Sequence, residues 1–301
     1  MTPPHHPTPP NLPRRTLARP ASFSGITLFT GASTTITIHP ATDAAGIRFR
    51  RIDLPNLPVI PATVAHVVPE SRRTVLSALP GDRSAPSVQT IEHLMSALAG
   101  LGVTDAIIDL AGPEVPIADG SSLPLVQAIQ SAGVVIEPNA ASVPVAAVTE
   151  PIVIDDGKTR IEALPPLPSA RPGLELTYIL EYPPGAPIPA QSASIFIPLG
   201  LPAPNYTTHV APARTFCLAA EAQQMRAMGL FTHLTPREML VIGDHGPIDN
   251  AYRFDNEPAL HKLLDLLGDL ALAARPIHAR VVATRTGHAH NHALARALAA
   301  L

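Results

Sequence analysis

Cysteine is nearly absent from this chain, since Cys217 is the single one among its 301 residues. One thiol cannot form an internal disulfide, and the sequence has no Cys-x-x-Cys pair for a zinc knuckle or a dithiol redox site. Basic residues are not in excess either, because 21 Lys and Arg stand against 24 Asp and Glu, a net charge of −3. These two shortages favour a reducing cytoplasm and argue against nucleic acid as a partner.

Long apolar runs are also missing. No stretch approaches the roughly 20 apolar residues that a transmembrane helix needs, and the N-terminus lacks the apolar core of a signal peptide. Apolar residues nevertheless make up 46% of the chain, which is ample for a buried core. We therefore expect a soluble globular protein with one large domain or two of ordinary size and no transmembrane segment.

Proline is concentrated at the N-terminus, where six fall within the first thirteen residues. Proline lacks a backbone donor and favours extended, unpacked chain, so residues 1–13 are predicted to form a disordered tail. His5 and His6 lie in this tail, and a flexible tail makes a poor enzyme site. We interpret them as bystanders.

The remaining chain divides into two halves with a similar plan. A polar, proline-containing break at residues 137–142 predicts a boundary between a domain of residues 14–140 and a domain of residues 145–301. Period-two alternation, apolar runs and helix punctuation predict strands at 34–39, 46–50, 106–110, 151–154, 160–164, 174–182, 194–197 and 279–283, and helices at 90–99, 121–132, 257–273 and from the last strand to residue 301.

Each half thus closes with a helix, a strand and a helix, and aligning the two units sets His93 against His261. The pattern resembles an internal duplication, although any helix-strand-helix protein can show it by chance. Two related halves packed face to face would bring both histidines to a common interface, where small-molecule sites tend to lie.

The helix at 257–273 carries a polar stripe. His261, Asp265 and Asp269 are spaced i, i+4 and i+8, so they share one face, and a His and an Asp at this spacing can bind one metal ion. Without further support, an exposed helix stripe explains the same pattern.

Support comes from Glu92 and His93 on the first half's helix. Catalytic zinc typically takes three protein ligands and leaves a position for water, and His93, His261 and Asp265 make such a set. Glu92, beside a ligand without needing to be one, suits a general base. The alternative for this pair is a solvated helix start.

Three histidines follow the last predicted strand at every second position: His288, His290 and His292. They could form a second metal cluster, a capping loop, or one catalytic residue with two bystanders. Gly287 favours a catalytic loop, because a glycine turn after a strand exposes and positions its neighbour. We choose His288 as catalytic and expect His290 and His292 to be surface residues.

Five segments together resemble a known family, the UDP-3-O-acyl-N-acetylglucosamine deacetylases, which catalyse the committed step of lipid A synthesis. They follow the family's order and span almost the whole chain after the tail. The segments are residues 90–102, 112–121, 213–216, 261–269 and 287–288.

The resemblance implies an α+β fold of two related domains, each a β-sheet layered with α-helices, with a zinc site at the domain interface. It assigns His93, His261 and Asp265 to zinc, with Fe²⁺ as the other candidate ion. The catalytic roles that it implies are Glu92 as general base, His288 as general acid, Asp269 as the partner that keeps His288 charged, and Thr215 and Lys262 as oxyanion and substrate contacts alongside Phe216.

The resemblance further implies a passage for a fatty acyl chain, built by an insertion around residues 216–245. The methionine-bearing apolar residues there suit a lipid surface, and ordinary core is the alternative. Three positions depart from the family pattern: Phe29 replaces a histidine, Leu260 replaces an arginine, and residues 235–240 replace a glycine-rich stretch.

From the resemblance we expect a cytoplasmic monomer that hydrolyses the N-acetyl group of UDP-3-O-(3-hydroxyacyl)-N-acetylglucosamine and releases acetate. Two alternatives stay open: a divergent zinc amidohydrolase for another N-acylated sugar or lipid, and a catalytically silent metal-binding homologue. Chemically competent residues at every candidate position argue against the silent homologue.

Overall fold

The computed structural model describes residues 11–168 and 170–301. Most of the predicted disordered tail, with His5 and His6, lies outside the described residues. For its last part the prediction is wrong, because the backbone of Leu12 pairs with that of Val143 through hydrogen bonds of 2.9 and 2.8 Å. Leu12 has a backbone donor and an apolar side chain, so it can pair although Pro13 follows it.

Five α-helices occur within the described residues. Their bounds are α1 Glu92–Gly100, α2 Leu123–Ala132, α3 Ala219–Ala227, α4 Glu257–Leu270 and α5 His288–Ala299. The helix predicted from residue 90 begins two residues later, because Thr90 has a left-handed backbone with φ of +58°. The helix predicted to residue 273 is α4 followed by a single 3₁₀ turn, Ala271–Ala273.

The strands of the first half form a five-stranded sheet and two smaller pairings. They are β1 Arg15–Leu17, β2 Ala21–Ile26, β3 Ser33–Pro40, β4 Ile47–Arg51, β5 Val59–Pro61, β6 Val67–Val68, β7 Val75–Ser77, β8 Ser87–Gln89, β9 Ala106–Leu110 and β10 Val134–Ile136. The large sheet has the order β2-β3-β9-β4-β5, while β6-β7-β8 form a small sheet and β1 pairs with β10.

The strands of the second half follow the same plan. They are β11 Ala146–Ala147, β12 Ile152–Asp155, β13 Arg160–Leu164, β14 Gly173–Leu180, β15 Gln191–Pro198, β16 Phe216–Leu218, β17 Leu240–Gly243, β18 Gly246–Pro247 and β19 Ile277–Thr284. The large sheet has the order β12-β13-β19-β14-β15, with β11 added beside β19, and β16-β17-β18 form a small sheet.

The two large sheets share one topology. In each, the central strand (β9 or β19) is antiparallel to the neighbour on one side and parallel to the neighbour on the other. Each central strand also lies between two helices along the chain, α1 and α2 or α4 and α5. The α+β fold is therefore confirmed, and the duplication inferred from sequence is matched by strand order and direction.

One apolar core runs through both halves. Alternation in β3 points Ile36 and Ile38 into it, 0% and 1% exposed, while Thr35 and Thr37 face the other side of the sheet. The two helices that carry the candidate ligands, α1 and α4, pack against each other. Gly268 permits this close contact, because a Cβ there would overlap the carbonyl oxygen of Glu92.

Across residues 11–168 and 170–301, the structure contains no helix with both the length and the apolar character needed to cross a membrane.

Candidate metal centre

The α1–α4 contact brings the three predicted ligands together. His93, His261 and Asp265 are 6%, 3% and 5% exposed, and each offers a ligand atom that lies within 4.8 Å of the other two. The His93 and His261 rings meet edge to face, with centroids 5.0 Å apart. The alternative of an exposed stripe on α4 does not hold, because this stripe is buried against α1.

The distances within this trio fit one shared ion. Asp265 Oδ1 lies 3.7 Å from His93 Nε2 and 3.5 Å from His261 Nε2, too far for hydrogen bonds. A tetrahedral zinc with bonds of about 2.1 Å would place its ligand atoms roughly 3.4 Å apart. Among the described residues, the buried Nδ1 of His93 has no hydrogen-bond partner.

The protonation states of the trio also suit a cation. Burial and the neighbouring His261 lower the pKa of His93 to about 3, and burial lowers the pKa of His261. His261 Nδ1 donates to the carbonyl oxygen of Ala213 at 3.1 Å, which leaves Nε2 as a free lone pair. Burial opposes the charge of Asp265, yet Lys262 and His261 hold its pKa well below the usual range.

Glu92, the predicted base, is buried one position before a candidate ligand, so the alternative of a solvated helix start is wrong. It is 4% exposed, and the amide of Thr74 donates to its Oε2 at 3.1 Å. Burial raises the pKa of Glu92 to about 7, although the nearby His288 opposes this shift. A carboxylate with a pKa near neutrality can accept a proton at physiological pH.

His288, the predicted acid, contacts the carboxylate predicted as its partner. Its Nδ1 lies 2.8 Å from Asp269 Oδ2, and Asp269 is fully buried. Burial disfavours a charged imidazole, but the charge and hydrogen bond of Asp269 outweigh it and raise the pKa of His288 to about 9. His288 is therefore protonated at neutral pH, as a general acid requires.

The prediction that His290 and His292 are surface residues is wrong for His292. The histidine run is not a loop, because α5 begins at His288, and i, i+4 spacing turns His292 inward beside it. His292 is 8% exposed, and its Nε2 lies 3.2 Å from Asp269 Oδ1. His290 is partly exposed and pairs with Asp156 on the outside.

The predicted oxyanion and substrate contacts lie around the same centre. Lys262 Nζ lies 2.7 Å from Asp265 Oδ2, and the ring of Phe216 packs edge to face on His261 with centroids 6.2 Å apart. Thr215 is held by its backbone, since its amide donates to Gly120 at 2.7 Å. All three line one cavity of about 630 Å³ with His261, Asp265 and His288.

A buried ion pair anchors the chain beside Thr215. Arg214 Nε and Nη2 donate to the two oxygens of Glu257, the first residue of α4, at 2.8 and 3.0 Å. This bidentate contact ties the segment that carries Thr215 to the helix that carries His261. Arg214 therefore has a structural role, the anchoring of this segment to α4, that the sequence did not indicate.

The insertion around residues 216–245 forms one wall of the cavity. It contains β16, α3 and β17, and Met225 and Phe231 line the cavity. No residue of α3 is buried, and Met228 and Leu230 are 56% and 46% exposed, so the alternative of ordinary core is wrong for α3. It holds for β17, where Leu240 and Ile242 belong to the core.

The departures at Phe29 and Leu260 differ in their relation to the cavity. Phe29 lines it, contacts Phe231 edge to face at 5.2 Å, and lies beneath the guanidinium of Arg73 at 4.0 Å. Leu260 is buried and lines a separate surface cavity instead. An aromatic wall therefore stands where the sequence resemblance expects an imidazole.

Sequence reasoning missed three side chains of this centre: Thr74, Asn291 and His292. Thr74 and Asn291 donate to Asp269 at 2.6 and 2.9 Å, and neither has a pattern signal. The signal for His292 was present, because it lies four residues after His288 in a predicted helix.

The site holds two buried histidines and an aspartate between two halves of the same topology, beside a candidate base and a candidate acid. This arrangement defines a candidate metal-dependent hydrolase. Comparison with known families is consistent with this class. The family model described as UDP-3-O-acyl N-acetylglycosamine deacetylase matches residues 14–300 of this chain. The chain therefore belongs to this deacetylase family.

Individual relatives agree with the family match. A UDP-3-O-acyl-N-acetylglucosamine deacetylase of Thermosynechococcus vestitus is 40% identical over 286 residues, 95% of this chain and 94% of the relative. Proteins of the same name from Chlamydia caviae and Leptospira biflexa are 36% and 33% identical, over 94% and 95% of this chain and 95% and 89% of their own lengths.

Proposed function

We propose that this protein removes the acetyl group from UDP-3-O-(3-hydroxyacyl)-N-acetylglucosamine by hydrolysis, with zinc at His93, His261 and Asp265, in lipid A biosynthesis. One observation carries the proposal: two of the three buried potential ligands, His261 and Asp265, line one cavity with the acid His288, and the third, His93, directly follows the base Glu92. The relatives' names supply the substrate, since each is a UDP-3-O-acyl-N-acetylglucosamine deacetylase.

The cavity offers suitable side chains for both the acyl chain and the diphosphate of such a substrate. Met225, Phe29 and Phe231 present apolar surface for an acyl chain, while Arg226 and Arg285 line the same cavity. Guanidinium groups match the oxygens of a diphosphate. We expect the enzyme to act as a monomer, because one chain supplies all the residues of the centre, and to act in the cytoplasm, as the family resemblance implies.

The reaction needs water to add to the acetyl carbonyl carbon and the C–N bond then to break. A bound Zn²⁺ or Fe²⁺ would supply Lewis-acid polarisation and lower the pKa of water. Glu92 accepts the proton of the attacking water, and Lys262 and Thr215 stabilise the negative charge that develops on the carbonyl oxygen. His288 donates its proton to the departing amine, so that acetate and a free amine leave.

Acetate release by metal-analysed protein tests this proposal. Wild-type protein is expected to release acetate from the UDP-acyl-N-acetylglucosamine, and Glu92→Gln is expected to keep its metal and lose at least about 10²-fold in rate, since it retains shape without basicity. Glu175→Gln, which changes an exposed carboxylate in β14, is the control and should match wild type.

Three results would contradict parts of the proposal. Metal-loaded protein without turnover on this sugar would favour the divergent relative or the silent homologue. Turnover on a different N-acylated sugar would favour the divergent relative, for which Phe29 at the cavity wall is the structural argument. Loss of metal from Glu92→Gln would make Glu92 a ligand.

A further inference from the structure

Thr74 lies between Glu92, the proposed base, and Asp269, the partner of the proposed acid His288. It immediately precedes β7, is fully buried, and makes polar contacts across the molecule. Its amide donates to Glu92 Oε2 at 3.1 Å, and its hydroxyl donates to Asp269 Oδ1 at 2.6 Å. One residue therefore contacts both carboxylates that flank the candidate metal centre.

The direction of the hydroxyl bond follows from the groups around it. The depressed pKa of Asp269, for which the charges of His288 and His292 outweigh burial, makes this carboxylate an acceptor, so the single Thr74 hydrogen points towards Asp269. The Thr74 oxygen can then accept from His292 Nε2 at 3.0 Å. The threonine hydroxyl is thus used as donor and as acceptor.

Asp269 is held on both of its oxygens. His288 Nδ1 and Asn291 Nδ2 contact Oδ2 at 2.8 and 2.9 Å, while Thr74 and His292 contact Oδ1 at 2.6 and 3.2 Å. Removing the Thr74 hydroxyl leaves Oδ1 with one longer contact, so the carboxylate gains freedom to rotate. Because His288 is oriented through Nδ1, a rotation of Asp269 also turns the imidazole edge that carries Nε2.

We propose that Thr74 is a positioning residue of the deacetylase, which sets the base Glu92 through its amide and the acid His288 through Asp269. The proposal rests on the proposed function, because it assigns Thr74 to the proton transfers inferred above. It also accounts for a hydroxyl in a fully buried place, where an isosteric valine would avoid the cost of burying a polar group.

A pair of substitutions isolates the hydroxyl. In Thr74→Val the side chain keeps its shape and the backbone amide stays, so Glu92 keeps its contact and Asp269 loses one. We expect kcat to fall about 10- to 100-fold, the scale for losing a hydrogen bond to a charged group, with KM within about twofold of wild type. Thr74→Ser restores the hydroxyl and should recover kcat to within about threefold.

Controls separate positioning from general damage. Thr16→Val also removes a buried threonine hydroxyl, one that accepts from the amide of Ala41 far from the centre, and should leave kcat unchanged. Metal content of every variant is measured alongside. If Thr74→Val fails to fold, Thr74→Ala replaces it, because alanine differs from the serine variant by the hydroxyl alone.

Two outcomes would overturn the proposal: wild-type kcat in Thr74→Val or Thr74→Ala, or equal impairment of the serine variant and the variant without a hydroxyl. Both are distinct from failure of the proposed function, in which wild-type protein itself releases no acetate.

Discussion

At the scale of single residues, the pairing of His288 with Asp269 sets the pH range in which the acid can work. The carboxylate raises the pKa of His288 to about 9 against the effect of burial. If protonated His288 donates to the leaving amine, activity is present below this pKa and is lost as pH rises through it. The alkaline limb of the pH–rate profile is therefore expected near pH 9.

Asp269→Asn should move that limb. The variant keeps the burial that disfavours a charged imidazole but loses the negative charge that favours it, so the pKa of His288 falls. The alkaline limb of kcat is expected to shift to lower pH, and kcat at neutral pH to decrease. The measurement is kcat against pH for metal-loaded protein.

The matched control uses another histidine of α5. Asp156→Asn removes the carboxylate that lies 3.2 Å from His290 on the outer side of this helix, and it should leave the limb in place. An unmoved limb in Asp269→Asn, or an equal shift in Asp156→Asn, would exclude His288 as the acid that titrates there.

At the scale of elements, the contact between α1 and α4 brings the ligands together. His93 lies on α1, and His261 and Asp265 lie on α4, so the distance between these two helices sets the geometry of the trio. The contact depends on Gly268, where a side chain would overlap the backbone of Glu92. Helix packing and the metal centre are thus coupled at one position.

Gly268→Ala is expected to destabilise the protein and weaken metal binding together. Forcing a methyl group against backbone costs about 2 kcal/mol or more, because the helices must move apart. We expect a lower thermal midpoint and less metal retained after dialysis. The control is Gly25→Ala in β2, where the added Cβ meets its nearest atom at an ordinary 3.4 Å. A Gly268→Ala protein with full metal content would show that the helix contact does not govern the centre.

At the scale of the whole molecule, the candidate centre joins the two halves of the chain. One ligand comes from the first half and two from the second, and we propose that the break at residues 137–142, between β10 and β11, separates two domains. An ion bound across this interface stabilises the folded form over the unfolded chain, by about 4 kcal/mol when the free ion exceeds its Kd a thousandfold.

Removing the ion should therefore lower thermal stability. Chelator-treated protein is expected to unfold several degrees below zinc-loaded protein, and added Zn²⁺ should restore the midpoint. His93→Ala should lose this zinc dependence, whereas His290→Ala, which changes a histidine outside the centre, should keep it. Calorimetry of both variants with and without Zn²⁺ provides the test, and a zinc-independent midpoint in wild type would contradict a centre that links the halves.

Local sequence patterns were sufficient to predict much of the secondary structure and part of the candidate metal centre. The strands at 106–110 and 160–164 were predicted at the bounds they have, because alternation and apolar content depend on neighbouring residues. The spacing of His261 and Asp265 placed them on one face of a helix for the same reason. The boundaries of α1 and α5 were less accurate, since single backbone conformations, such as that of Thr90, decide where a helix begins.

The sequence by itself determined which residue types lie on which face of each element, and through its ordered motifs it indicated the family. The tertiary structure alone decided which of these faces meet: that Leu12 pairs with Val143 and that Thr74 reaches Asp269. Thr74 and Asp269 lie 195 residues apart along the chain. Contacts of this kind leave no periodic trace in the sequence, because they join residues that lie far apart along the chain.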